Sequence, residues 1–304
     1  MSQVRPREDR LGAAILIVLG AFLCFTLIDT MAKWLALAGI PVLQVAFLRY
    51  AGHAVSALAI FWPAEGSAVF RSNAPGLQLL RALFLLLGTI FNFVALAHLP
   101  LTVTIAIFFA APIVVSLLAI PILGERIGLR RFGAILVGFA GILVIAAPWD
   151  ASFHWALFFS FGALLCASLY FILTRAIAGV DDNPTGQVIT SVLPTLALLP
   201  FVIHTWVWPD TATGWALAAL IGVAATAGHS LLTVGYRYAP ASTLAPVVYS
   251  QAIFAAAISW AVFAQPPDTQ TLAGTAIIIG AGIYIWRRER ALRQTPVPHP
   301  RTAS

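Results

Sequence analysis

Charge is what this chain has least of. Asp, Glu, Lys and Arg make up only 9% of its 304 residues, against about 25% in an average soluble domain. So few charged side chains cannot clothe a soluble core of this size, and a soluble globular fold is excluded. Cysteine is nearly absent too: Cys24 and Cys166 each lie inside an apolar run. Two isolated thiols in such runs exclude a disulfide framework and a cysteine-based metal cluster. The sequence also lacks a Walker lysine, a Gly-x-Ser-x-Gly elbow and a His-Glu-x-x-His helix. Without them nucleotide-driven pumping and the commonest hydrolytic chemistries lose their support, and no enzyme, cofactor or metal site is expected.

What is there is apolar surface: 61% hydrophobic residues and a mean hydropathy of +0.94. A bilayer-crossing helix needs about 20 mostly apolar residues. Ten such runs can be read between turn residues: Leu11 to Trp34, Pro41 to Trp62, Pro75 to Ala97, Leu101 to Leu123, Leu129 to Ala147, Phe153 to Thr174, Gly186 to Trp206, Gly214 to Tyr236, Ala241 to Ala264 and Thr271 to Trp286. Loops between them are short, as at Pro63-Ala64-Glu65-Gly66 and Pro266-Pro267-Asp268. The expected class is an all-α integral membrane protein of ten helices, with a tail at 1–10 and a disordered one at 289–304.

The scarce charges sort by loop. With ten spans both ends share a side, and that side collects Arg5, Arg7, Arg10, Arg71, Arg126, Arg130, Arg131, Arg175, Arg237 and the cluster from Arg287 to Arg293. The other side offers Asp150, Asp210 and Asp268, with Lys33 as its nearby cation. Positive charge stays in the cytoplasm, so both termini are expected there, in a bacterial inner membrane. The net charge of +6 then marks orientation rather than nucleic acid, which is not expected as a partner. Monomer and homodimer both fit.

The chain repeats itself. Cys24 matches Cys166 and Lys33 matches Arg175 at an offset of 142; Pro100 matches Pro240 at 140; Gly133 and Gly141 match Gly274 and Gly282 at 141. Repeats at 11–149 and 150–288 would hold five spans each. An odd number means the second half enters the membrane from the opposite side. This is the inverted arrangement found in secondary transporters.

Several short motifs then carry a resemblance. Asp29-Thr30-Met31-Ala32-Lys33-Trp34, Phe47-Leu48-Arg49-Tyr50, Ala95-Leu96-Ala97-His98-Leu99-Pro100, Leu123-Gly124-Glu125-Arg126 and Tyr236-Arg237-Tyr238-Ala239-Pro240 make the chain similar to the EamA type of the drug/metabolite transporter superfamily. Among these it most resembles bacterial amino-acid exporters. Ala264-Gln265 stands where the family repeats its Gly-Glu pair. The resemblance implies a central cavity lined by helices three, four, eight and nine.

Polar groups inside the runs are the site candidates. A charge at mid-bilayer costs roughly 2.5–3.5 kcal/mol on insertion scales, so it needs a partner or a task. Asp29 and Lys33 stand four residues apart on one helix face, as an ion pair or gate. Arg49, with His53 one turn on, suits a carboxylate and a proton. Asn92, His229, Tyr249 and Gln251 are neutral polar groups at mid-span, which bind substrate or simply bond helices together. Tyr50, Phe108, Phe109, Tyr170 and Trp260 offer aromatic faces for a flat or apolar side chain. Pro112, Pro194 and Pro246 are expected to interrupt spans, and Gly133, Gly138 and Gly141 to form a close-packing face at another helix or a dimer interface. The function expected is alternating-access export of small metabolites, amino acids first and apolar or aromatic ones favoured. A purine, a vitamin or a cationic compound is the second choice, and a membrane sensor or enzyme a distant third.

Overall fold

The computed structural model describes residues 11–123, 129–147, 153–177, 180–239 and 244–294. Its regular structure consists of α-helices and two short 3-10 helices: α1 Leu11–Leu37, α2 Val42–Glu65, a 3-10 turn Gly66–Phe70, α3 Pro75–His98, α4 Leu101–Phe108, α5 Ala111–Leu123, α6 Leu129–Ala146, α7 Leu157–Ile177, α8 Asn183–Val202, α9 Ala212–Tyr238, a 3-10 segment Ala245–Ser250, α10 Gln251–Phe263 and α11 Thr269–Gln294. Hydrocarbon offers no partner to a bare N–H or C=O, so a spanning segment must bond within itself. Eight helices are long and apolar enough to cross a membrane, and the shorter apolar stretches Leu101–Val115 and Phe132–Ala146 bring the spans to ten.

Two spans are broken, and chemistry at the breaks accounts for both. The fourth is split into α4 and α5 at Phe109 and Ala110, where the backbone tightens: Ala110 N donates to Ile107 O at 3.0 Å. Pro112, two residues on, has no N–H to give to Phe108. The ninth contains the 3-10 segment Ala245–Ser250, with Pro246 in its first turn, and is α-helical from Gln251 onward. Pro194 behaves differently, because α8 runs through it unbroken. That helix also ends at Val202, leaving Trp206 in the following loop. At the other end of the chain α11 continues to Gln294, through part of the segment expected to be a disordered tail. Residues 1–10, 124–128, 148–152, 178–179, 240–243 and 295–304, with Glu125, Arg126 and Pro240 of the sequence motifs, lie outside the described residues.

Helix packing shows the repeat directly. Exchanging spans one to five with six to ten carries the packing pattern into itself. Helix α1 packs on α9 as α7 packs on α3, while α6 on α11, α2 on α8 and α4 on α10 are their own images. Individual contacts follow. A Cβ built on Gly88 would lie 3.3 Å from the Cβ of Cys166, and one on Gly228 would lie 3.2 Å from the Cβ of Cys24. The matched cysteines therefore do one job, each filling the notch that a glycine leaves in the other half's third span. Thr26 and Ser168, also equivalent, each donate to the carbonyl four residues back, Phe22 O and Leu164 O, at 2.9 and 2.7 Å. Phe109 and Tyr249, equivalent at an offset of 140, meet edge to face at 5.5 Å and 75°. They mark where the pseudo-two-fold axis passes.

Glycine sets the closest approaches. Gly141 lies against Gly274, a Cβ on it coming 2.9 Å from Gly274 O, and Gly138 lies against Ile113 and Ala281. The expected close-packing face of the fifth span therefore serves α11 within the chain, while Gly133 has open space around it. Gly52 and Gly222 bring α2 and α9 into backbone contact: a Cβ on Gly52 would lie 2.9 Å from Gly222 Cα.

Leucine at position 222 should force these two helices apart. Overpacking of this kind costs about 1–3 kcal/mol. We expect Gly222→Leu to lower the thermal unfolding midpoint in detergent by several degrees, and Gly12→Leu, with nothing within 4 Å, to leave it unchanged.

Candidate functional site

The site grows from side chains that six helices turn inward: α1, α2, α3, α7, α8 and α9. Arg49 of α2 is buried, and its Nη1 donates to Thr89 Oγ1 of α3 at 3.1 Å. Its guanidinium also sits over the ring of Tyr50, 4.7 Å from the centroid. Tyr50, wholly buried, donates to Leu85 O at 2.8 Å and shares a 2.7 Å bond with Thr89 Oγ1. Arg49 thus rests on an α3 shelf of hydroxyl and carbonyl. Among the described residues no carboxylate lies within ion-pair distance of it.

One turn along α2, His53 is 1% exposed. The Gly52–Gly222 crossing lays its ring parallel to that of His229 on α9, at 5.5 Å and 8°. Its Nε2 contacts Gln187 Oε1 of α8 at 3.4 Å, and Phe25 of α1 meets His229 edge-on at 5.1 Å. Arg49 is within electrostatic reach of His53, His229 and Asp29.

Asp29 and Lys33 do not pair. Asp29 Oδ1 accepts from Asn92 Nδ2 at 2.9 Å. Lys33 Nζ donates instead to Leu99 O at 2.6 Å and Leu96 O at 3.1 Å, at the C-terminal end of α3. The physical reason lies in Pro100. In a continuing helix Leu96 O would accept from the N–H four residues on, and proline has none. The lysine meets that orphaned carbonyl at the negative end of the helix dipole. Sequence spacing made the pair look available, but it could not show that a broken helix elsewhere had the stronger claim on the cation.

The remaining candidates divide. Tyr170 of α7 lies under Arg81 of α3, whose guanidinium is 5.6 Å from its centroid. Tyr249 meets Phe109 at the axis, with its hydroxyl tucked against Gly282. Phe108 and Gln251 are half-buried beside that crossing. Trp260 leaves the group: it is 69% exposed on α10 and faces outward. An apolar helix carries little amphipathic signal to say which side turns inward, and here the indole lies on the exposed side. The polar groups come from more spans than the expected third, fourth, eighth and ninth, because the first, second and seventh (α1, α2 and α8) supply Asp29, Arg49, His53 and Gln187.

Three residues were missed. Arg81 is buried on α3 and its Nη2 donates to Gly186 O at 2.8 Å. Gln187 and Thr89 hold His53 and Arg49. A cation inside the third apolar run was the available signal for Arg81. Nothing in the sequence distinguishes Thr89 from a threonine bonded only within its own helix.

Together these groups form a file across the membrane: Lys33, then Asp29 with Asn92, Arg49 with Thr89 and Tyr50, His53 with His229, Gln187, and Arg81 on Tyr170. On the side of the chain termini the file ends at Asp181, which accepts from Ser72 Oγ, Gln78 Nε2 and the backbone N of Asn73. Slight burial raises the Asp181 carboxyl, and these donors more than offset it, leaving it below the usual carboxylate range. At the opposite face Gln44 closes the file by exchanging two hydrogen bonds with Val207, at 2.6 and 2.9 Å. Many of the buried groups along it have an atom without a hydrogen-bond partner, among them His53 Nδ1, Asn92 Oδ1, Gln187 Nε2 and Arg81 Nε.

The model of the EamA-like transporter family matches the chain twice, at residues 12–147 and 154–287. Relatives along nearly the full length include a riboflavin transporter of Rhizobium johnstonii, 26% identical over 96% of both chains. A pseudopaline exporter of Pseudomonas aeruginosa is 27% identical over 93% of this chain and 99% of its own. An S-adenosylmethionine uptake transporter of Rickettsia prowazekii is 24% identical over 86% and 88%. A crystal structure 19% identical in sequence has the same fold, with a TM-score of 0.63 over 93% of this chain and 99% of that one.

Removing Lys33 should destabilise the fold, whereas neutralising Asp29 should not. Lys33→Ala strands two buried carbonyls, a loss of about 1–3 kcal/mol. Asp29→Asn keeps the bond from Asn92 and frees no cation. Thermal unfolding of both variants checks this, and equal losses would instead indicate an Asp29–Lys33 pair.

Proposed function

The chain belongs to the EamA-like transporter family, and from that premise we propose that it carries small zwitterionic metabolites across the bacterial inner membrane, with apolar and aromatic amino acids first among them. It is a multi-pass membrane transporter of small molecules and not an enzyme. The observation that carries the finer reading is a pair of opposite charges held apart. Arg49 and Asp29 lie within electrostatic reach of each other, yet each is bonded to a neutral neighbour, Thr89 and Asn92. An uncompensated charge in hydrocarbon is costly. A zwitterion offsets both charges at once, its carboxylate on the Arg49 fork and its ammonium on Asp29. The Phe109–Tyr249 crossing and Phe25 supply apolar faces for the substrate side chain.

The broken fourth and ninth spans at the axis, and closures at each end of the file, support alternating access: Asp181 with Ser72, Asn73 and Gln78 on one face, Gln44 with Val207 and Lys33 with α3 on the other. The arginine-rich loops support a cytoplasmic position for both termini. The relatives' names cover uptake and export alike, and export is the direction proposed, as for the pseudopaline relative. A second reading follows from the riboflavin relative: a flat heterocycle between the aromatic faces, with Arg49 and Asn92 as polar anchors.

The test is release of labelled amino acids from proteoliposomes. Phenylalanine or leucine should leave faster than from protein-free vesicles. Arg49→Gln should slow release at least tenfold, with Arg49→Lys falling between because it keeps the charge and loses the fork. No release of any amino acid, with release of riboflavin, would favour the second reading.

A further inference from the structure

The stacked histidines do more than a substrate clamp requires. Two imidazoles lie parallel at 5.5 Å, in a place the chain creates by removing every side-chain atom between α2 and α9 at Gly52 and Gly222. If Nε2 of His53 carries the ring proton, it donates to Gln187 Oε1, and Nδ1 is a bare acceptor with no partner in a site 1% exposed. The groups that face the pair can be named from every side. Arg49 and Tyr50 stand on the same helix, Gln187 on α8, and Thr226 on α9, where it donates to His53 O at 3.5 Å. Phe25 is the group on α1. Arg81 of α3 acts on His229 as well. The charged groups nearest the pair are thus Arg49 and Arg81, with Asp29 of α1 within reach of Arg49.

We infer that His53 and His229 form a proton site that fills when a carboxylate binds at Arg49, so that the carrier moves one proton with each substrate molecule. This rests on the zwitterion reading above. Between two arginines in a low dielectric, a third positive charge is unfavourable. An arriving carboxylate neutralises Arg49 and removes the main objection to it. Linkage makes the effect mutual: a proton on the pair strengthens carboxylate binding by the same factor. The proton comes from water on the loading side, bonds to the Nδ1 lone pair of His53, and returns to water on the other side once the carboxylate has left. No bond of the substrate changes. A zwitterion plus a proton carries one net positive charge, so transport is electrogenic and pH-dependent. Export carries the proton outward with the substrate, driven by a substrate gradient steeper than the opposing proton gradient.

Proteoliposomes with entrapped pyranine decide it, with labelled phenylalanine as probe. Wild-type protein should acidify the lumen when phenylalanine enters, and a gradient of one pH unit should accumulate the label up to about tenfold, the factor that one pH unit represents. At a phenylalanine flux matched to that of the wild type, His53→Gln should neither acidify the lumen nor accumulate the label. His229→Gln carries the same test if the first variant does not fold. Wild-type entry without acidification or pH dependence would overturn the proton site and leave the carrier reading standing. Coupling that survives in both variants would overturn the assignment to these histidines. Failure of wild-type protein to exchange any amino acid would instead remove the zwitterion reading beneath it.

Discussion

A charge or bare backbone group inside a bilayer has no water to turn to, and the architecture of this protein follows from how that demand is met. Most of the chain meets it by being helical and apolar. Where a helix must break, another part of the molecule supplies the missing donor. Pro100 takes an N–H from the end of α3, and Lys33, from a different helix, stands 3.1 Å from the carbonyl left over. That bond explains why a lysine is found 2% exposed in a membrane fold. It also leaves Asp29 without a cation on its own helix, which makes it a candidate for the charge of a ligand.

The inverted repeat gives the demand a geometry. Each half supplies a thiol to fill a glycine notch in the other, at Cys24 with Gly228 and Cys166 with Gly88. The halves touch at their equivalent aromatic residues, Phe109 and Tyr249. Symmetry ends at the polar file: the first half provides Lys33, Asp29, Arg49, Tyr50, His53, Arg81, Thr89 and Asn92, and the second provides Tyr170, Gln187 and His229. A symmetric frame around an asymmetric site suits a carrier, because the frame has two equivalent ways to open while the charges stay on one set of helices.

Much of this was legible in the sequence because lipid imposes simple rules. Span number followed from apolar length, the breaks near Pro112 and Pro246 from the lost N–H, and the repeat from matched residues such as the cysteines. Helix neighbours were not legible. Lys33 looked paired with Asp29 because spacing along one helix is visible and a carbonyl on another is not. Trp260 looked central because an apolar helix surrounded by lipid and protein has no strong polar face to orient it. Thr89 and Gln187 became meaningful only when packing set them beside Arg49 and His53.

In the proposed function Arg49 and Asp29 read the two ends of one zwitterion. Competition against labelled phenylalanine uptake, using phenethylamine, which lacks the carboxylate, and 3-phenylpropionate, which lacks the amine, tests this most directly. Unlabelled phenylalanine should compete at least tenfold better than either analogue in the wild type, and Arg49→Gln should erase its advantage over phenethylamine alone. Equal competition by all three compounds in the wild-type protein would contradict it.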